Sequence, residues 1–180
     1  MATTTTLDLS GTLALASYSA NYTVAQAGDG VVVAAYPWIG QYYAGQFELS
    51  QVCAAFDTAR LSGALVSAAL TITVDESYGN TTVEVRQHDW PATIEAWVPG
   101  LDLASKPLLG STAVAQGGKR DITIPLSAFS LAAPLRIVLA IADQRNNVTP
   151  TGDTTLLVSN ARLAVTTEPA RRASRTFIWL

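Results

Sequence analysis

The sequence predicts an all-β fold of two packed antiparallel sheets, on three observations. Short segments carry apolar residues at every second position, turn-forming residues separate them, and no stretch keeps a helical apolar period over a useful length. Residues 65 to 90 show this most clearly. Val66, Ala68, Leu70, Ile72 and Val74 alternate with Ser67, Ala69, Thr71, Thr73 and Asp75, the period of a strand with one face in a core. Glu76 to Asn80 supply turn chemistry, and a second strand follows with Val83 and Val85 inward against Thr82, Glu84 and Arg86 outward, so the pair reads as an antiparallel hairpin. Parity breaks at Gln87, His88 and Asp89, and Trp90-Pro91 closes the segment because proline cannot donate to a ladder.

From the start of the chain, Leu7, Leu9, Leu13 and Leu15 alternate loosely around Gly11, and the stretch SYSANYT reads as a loop or edge strand. Gly28-Asp29-Gly30 is a turn, Val31 to Ala35 a short buried strand, and Tyr36 to Tyr43 an aromatic-rich loop. Gln46 to Phe56 is a longer strand with Phe47, Leu49, Cys53 and Ala55 on one parity and Val52, Ala54 and Phe56 on the other, the pattern of a strand that twists or bulges near the middle of a sheet. Asp57 to Arg60 turns the chain into the hairpin. Residues 91 to 118 hold too many Pro and Gly for a long helix and read as connection. Ile122, Ile124 and Leu126 form a strand, Ser127 to Ala133 a turn, and Leu135, Ile137, Leu139 and Ile141 a further strand with Arg136 outward. Residues 143 to 154 form a polar loop, and Leu156 to Thr166 a last core strand with Ala161, Leu163 and Val165 inward.

A length of 180 residues suits one domain, taken as residues 1 to 167, with residues 168 to 180 as a C-terminal arm. A net charge of −3 gives no electrostatic footprint for nucleic acid, and no apolar run is long enough for a membrane helix. Cys53 is the single cysteine, so no intrachain disulfide forms and the thiol reads as buried and structural. The Met-initiated start has neither a basic segment nor a long apolar one, which suggests synthesis in the cytoplasm without export.

The segment FDTARLSGALVSAALTITV resembles the core of jelly-roll domains related to the DNRLRE family and to carbohydrate-binding-module-like sandwiches. The similarity continues through TTVEVRQHDW, Trp97, DITIPLSAF, PLRIVLAI and VSNARLAV, and covers roughly residues 25 to 167. It implies a jelly-roll β-sandwich without catalytic activity, used in surface adhesion or as a virion component. A chain of this size looks like a phage structural protein, a head decoration or a tail component, located in the virion and partnered by other virion proteins and by copies of itself. The alternative is a carbohydrate-binding adhesion module whose partner is a host-surface glycan.

The chemistry-bearing residues fit that expectation. His88 is the single histidine, and neither a zinc site nor a triad can be assembled around it from any local motif. The acids are many enough that pairs for glycoside hydrolysis are formally available, yet strand faces and turns account for them. No cofactor is expected, although Asp143, Asn146, Asn147 and Asp153 offer oxygen ligands of the kind calcium takes. Trp90 and Trp97 read as core or rim. Tyr36, Trp38, Tyr42 and Tyr43 crowd one Pro/Gly-bounded loop and point to an interface with a sugar, a partner or the edge of the fold itself. The chain ends on Arg171, Arg172 and Arg175, followed by Phe177, Ile178, Trp179 and Leu180, which suggests an arm docked on a neighbouring subunit or a final strand.

Overall fold

The computed structural model describes residues 1–169. The strands are β1 (Thr3–Asp8), β2 (Gly11–Ser19), β3 (Val31–Val33), β4 (Trp38–Tyr43), β5 (Phe47–Phe56), β6 (Ala64–Ser77), β7 (Thr81–Gln87), β8 (Leu108–Val114), β9 (Arg120–Leu126), β10 (Leu135–Ile141) and β11 (Thr154–Glu168). Two short helices, α1 (Tyr22–Ala27) and α2 (Ala142–Arg145), join them. The chain is an all-β jelly-roll sandwich in which every described strand pair is antiparallel. One sheet runs β8-β7-β10-β5-β2-β3, the other β1-β11-β6-β9, and β4 pairs with both β5 and β11, joining the sheets at one corner.

The main core lies between the sheets. Val52, Ala54 and Phe56 of β5 and Ile137, Leu139 and Ile141 of β10 meet Leu70, Ile72 and Val74 of β6 and Leu163 and Val165 of β11. This is the alternation that the sequence displays in β6, β10 and β11. A second apolar cluster covers the opposite face of the first sheet, where Leu49, Cys53, Ala55, Val138 and Ala140 pack under Tyr22, Trp90, Trp97 and Leu103. Strand β5 is therefore buried on both faces, and its apolar residues of both parities reflect that double burial rather than a bulge within it. Trp90 and Trp97 belong to this layer, and burial pushes the Cys53 thiol up to about 12.

Several expectations are corrected. Strands β6 and β7 are not a hairpin: β6 pairs with β11 and β9, and β7 with β10 and β8, so residues 78–80 carry the chain from one sheet to the other. That crossing is pinned by other strands. The Tyr78 N–H donates to the Thr155 carbonyl at 2.9 Å, and Asn80 Oδ1 accepts from the Gln116 N–H at 3.0 Å. Gly79, at φ +70°, passes so near Asp153 that a Cβ would lie 2.7 Å from its carbonyl oxygen, which is why glycine occupies the position.

The stretch SYSANYT, taken as loop or edge strand, completes β2 and begins α1. Asn21 caps it by accepting from the Thr23 and Val24 N–H groups, and Gly28 closes it in the left-handed conformation. Strand β3 is a partly exposed edge rather than a buried strand, since Val32 and Val33 face solvent. The region read as connection holds two 3₁₀ segments, Ile94–Ala96 and Gly100–Ser105, and then β8. A turn of helix, α2, opens the polar loop after β10.

Glu84 and Arg86 do point away from the main core, but they are only 3% and 6% exposed. Glu84 accepts from Arg86 Nε at 2.7 Å and from Arg145 Nε at 2.9 Å, while Arg86 Nη1 donates to the Lys106 carbonyl at 2.7 Å. The two arginines supply the donors that such a buried carboxylate requires, and the Lys106 carbonyl takes up a further N–H of Arg86. The expected C-terminal arm, with Arg171, Arg172, Arg175, Phe177 and Trp179, lies outside the described residues.

Candidate functional site

Residues 36–43 were expected to be a loop, but Trp38–Tyr43 of them form strand β4, whose two faces divide the aromatics. In the β4–β5 ladder Tyr42 stands opposite Glu48 and Gly40 opposite Ser50, and in the β4–β11 ladder Gly40 also stands opposite Thr155. A row of Ser50, Gly40 and Thr155 thus crosses the corner strand with no large side chain on it. Gly40 is required there, because at φ +134° a Cβ would collide with the Thr154 carbonyl oxygen.

Around this row Trp38, Tyr42, Glu48, Tyr78, Asp153 and Thr155 line an open cleft of about 260 Å³. The Trp38 and Tyr78 rings lie 6.1 Å apart between centroids and are inclined at 37°. Tyr78 reaches the cleft because its backbone is tied to β11, and its hydroxyl donates to Glu76 Oε2 at 2.7 Å. That hydrogen bond and the charge of Glu76 raise the Tyr78 pKa, with smaller contributions from burial and Asp153, so the phenol stays protonated. Glu48 Oε1 accepts from the Tyr18 hydroxyl at 3.2 Å and from Ser50 Oγ at 3.5 Å. Burial, and then Glu48, raise the Tyr18 pKa. Asp153 Oδ1 accepts from both the N–H and the hydroxyl of Thr155. The second oxygen of each carboxylate accepts no hydrogen bond from the described residues, and no basic side chain lines the cleft.

Of the four aromatics expected to act together, Trp38 and Tyr42 share this cleft and the other two do not. Tyr43 has the opposite parity and packs on Phe47 at 4.6 Å, which in turn meets Tyr22 edge-on at 5.4 Å. Tyr36 is 66% exposed on the segment leading into β4 and does not line the cleft. The sequence offers Asp153 only as an oxygen ligand for calcium, and it points to neither Tyr78 nor Glu48 as a binding residue. Tyr78 was legible only as a turn residue, since its contribution depends on the sheet-to-sheet crossing.

His88 sits elsewhere, with Nε2 3.1 Å from the Ala96 carbonyl oxygen, and burial lowers its pKa. Of the oxygen ligands considered for calcium, Asn146 accepts from Arg145 at 2.7 Å and Asp153 from Thr155. Among the described residues no group of three or more His, Cys, Asp or Glu side chains converges as a metal site.

No protein-family model matches the chain, and no curated protein is similar to it in sequence. Three solved structures align at low identity. A family two carbohydrate esterase from Cellvibrio japonicus is 13% identical over 97% of this chain and 38% of its own, with a TM-score of 0.34. A glycoside hydrolase family 43 arabinoxylan arabinofuranohydrolase from Bacillus subtilis, in complex with cellotetraose, is 14% identical over 78% of this chain and 30% of its own, with a TM-score of 0.36. The CBM22-1–GH10 modules of Clostridium thermocellum xylanase 10B, complexed with xylohexaose, are 12% identical over 97% of this chain and 29% of their own, with a TM-score of 0.38. The chain spans less than two fifths of the length of each, and at these values the three bear on neither its ligand nor its activity.

Proposed function

We propose that this chain is a non-enzymatic glycan-binding module whose cleft takes an uncharged sugar residue. The observation that carries the reading is the convergence of Trp38, Tyr42 and Tyr78 with two carboxylates in one open cleft. Aromatic rings offer flat apolar surface to the C–H face of a pyranose, and Glu48 and Asp153 each keep an oxygen free to accept from its hydroxyls. With two lining acids and no lining base, the cleft disfavours sialylated and sulfated glycans.

In the virion setting suggested by the sequence, such a module would serve attachment to a host surface. That setting, and self-association through residues 168–180, are tested separately by mass spectrometry of purified particles and by sedimentation of the full chain.

A glycan array probed with wild type and Trp38→Ala tests the binding reading. Signal on neutral glycans that disappears in the variant supports it. Tight binding of choline with no glycan signal would instead make the same aromatics a cation cage and overturn it.

A further inference from the structure

The geometry points to a second binding site, an apolar cavity between the sheets that takes the unbranched alkyl chain of an uncharged amphiphile. Its volume is about 320 Å³, roughly twice that of an engineered apolar cavity of about 150 Å³ that stays dry and takes up benzene. The sequence opens it by placing alanine where neighbouring core positions hold Leu, Ile or Phe: Ala14 on β2, Ala54 on β5 and Ala161 on β11 all line it, with Leu139 and Val52 behind them. Strand β4 leaves β11 at the Trp38–Leu157 pair, and β11 shifts register between Val158 and Asn160, so the sheets are not sealed along this side. The mouth lies under residues 33–37, where Val33 is 59% exposed and Ala35 and Tyr36 also face solvent.

Two features fix the class of occupant. The lining holds no charged side chain, and none of the buried polar atoms lacking a partner belongs to it, so the cavity has nothing to neutralise a carboxylate or phosphate. At the rim stand Thr12, Ser159 and Asn160, which suit a hydroxylated head group.

The test is calorimetric titration of the full chain with two homologous series, alkyl glucosides and alkyl tri(ethylene glycol) ethers, kept below their micelle-forming concentrations. Filling the cavity should tighten Kd by about tenfold for each two added methylenes, and then level off once it is full. Val33→Asp and Ala35→Trp, both at exposed mouth positions, should flatten this dependence in both series while the melting temperature holds. Trp38→Ala should leave the dependence in place. No chain-length dependence in either series, or one unchanged by both mouth variants, would overturn the alkyl site. The same dependence in glucosides and ethers would support the alkyl site, since the alkyl chain is what the two series share.

Discussion

Trp38 and Tyr78 face one another at 6.1 Å although one lies on the corner strand and the other on the crossing between the sheets. Their meeting depends on the Tyr78 N–H to Thr155 carbonyl bond, which binds the crossing to β11 beside the Trp38–Leu157 pair. Tyr78→Ala should therefore weaken glycan binding as Trp38→Ala does, and lower stability by only about 0.5–1.5 kcal/mol for the lost ring pair. Tyr43→Ala, on the opposite face, should leave binding in place. Equal loss in all three, with normal melts, would show that the cleft is drawn on the wrong face.

The register of β6 makes a sharp contrast between adjacent residues. Ile72 is fully buried between the sheets, and Ile72→Ala should cost about 2–5 kcal/mol through transfer and cavity terms. Thr71 points the other way and meets Thr123 at 3.0 Å on the exposed side, so Thr71→Ala should cost far less in urea melts.

Glu84 holds two arginines, and removing it strands both charges. Glu84→Ala should destabilise the fold by about 3 kcal/mol or more, because Arg86 is left buried without its carboxylate. The exposed pair of Asp8 and Arg162, at 3.7 Å, should contribute almost nothing, and Asp8→Ala serves as the control.

Alkaline pH should loosen the protein through its second core layer. Burial raises both the Cys53 thiol and the Tyr22 hydroxyl to about 12 in the folded chain, from ordinary values of 9.0 and 10.0. The folded state thus holds these protons more tightly than the unfolded one. Their contribution is fully present below pH 9 and is lost as pH rises from about 9 towards 12. Thermal melts across that range should show the fall, and Cys53→Ala should reduce its part below Tyr22's titration. At pH 8 the thiol should react with a disulfide reagent only after unfolding.

His88 gives the opposite sign. Burial lowers its pKa from 6.5, so folding favours the neutral ring, and the contribution present above 6.5 is lost as pH falls through the folded value. His88→Ala should remove that acid-side dependence and leave glycan binding unchanged.

The sequence made β6, β10 and β11 legible because each has one face in the main core, so Leu70 and Ile72, or Leu163 and Val165, recur at the strand period. It hid β4, because Gly40 and Gln41 pair with both β5 and β11 and Ile39, Gly40 and Gln41 are buried in succession, which erases alternation. Adjacency in sequence makes β6 and β7 read as a hairpin, whereas Tyr78 and Gly79 carry the chain from β6, beside β11, to β7, beside β10. Helix α1 was missed: its caps, Asn21 and Gly28, stand in a stretch read as loop and turn and too short for a helical period to stand out. Trp38 and Tyr42 of the cleft were visible as part of an aromatic cluster. Glu48, Asp153 and Tyr78 come from three other parts of the chain, and only the ladders bring them to Trp38.

The most direct test of the account is an indole N–H nuclear magnetic resonance titration of the full chain with a neutral glycan selected on the array. The sequence has four tryptophans, of which Trp38 lines the cleft while Trp90 and Trp97 are buried in the second layer. The account predicts a saturable shift of the Trp38 indole, little change at Trp90 and Trp97, and loss of the response in Trp38→Ala. A saturable shift at Trp90 or Trp97 with Trp38 unmoved, or binding that survives Trp38→Ala, would contradict it.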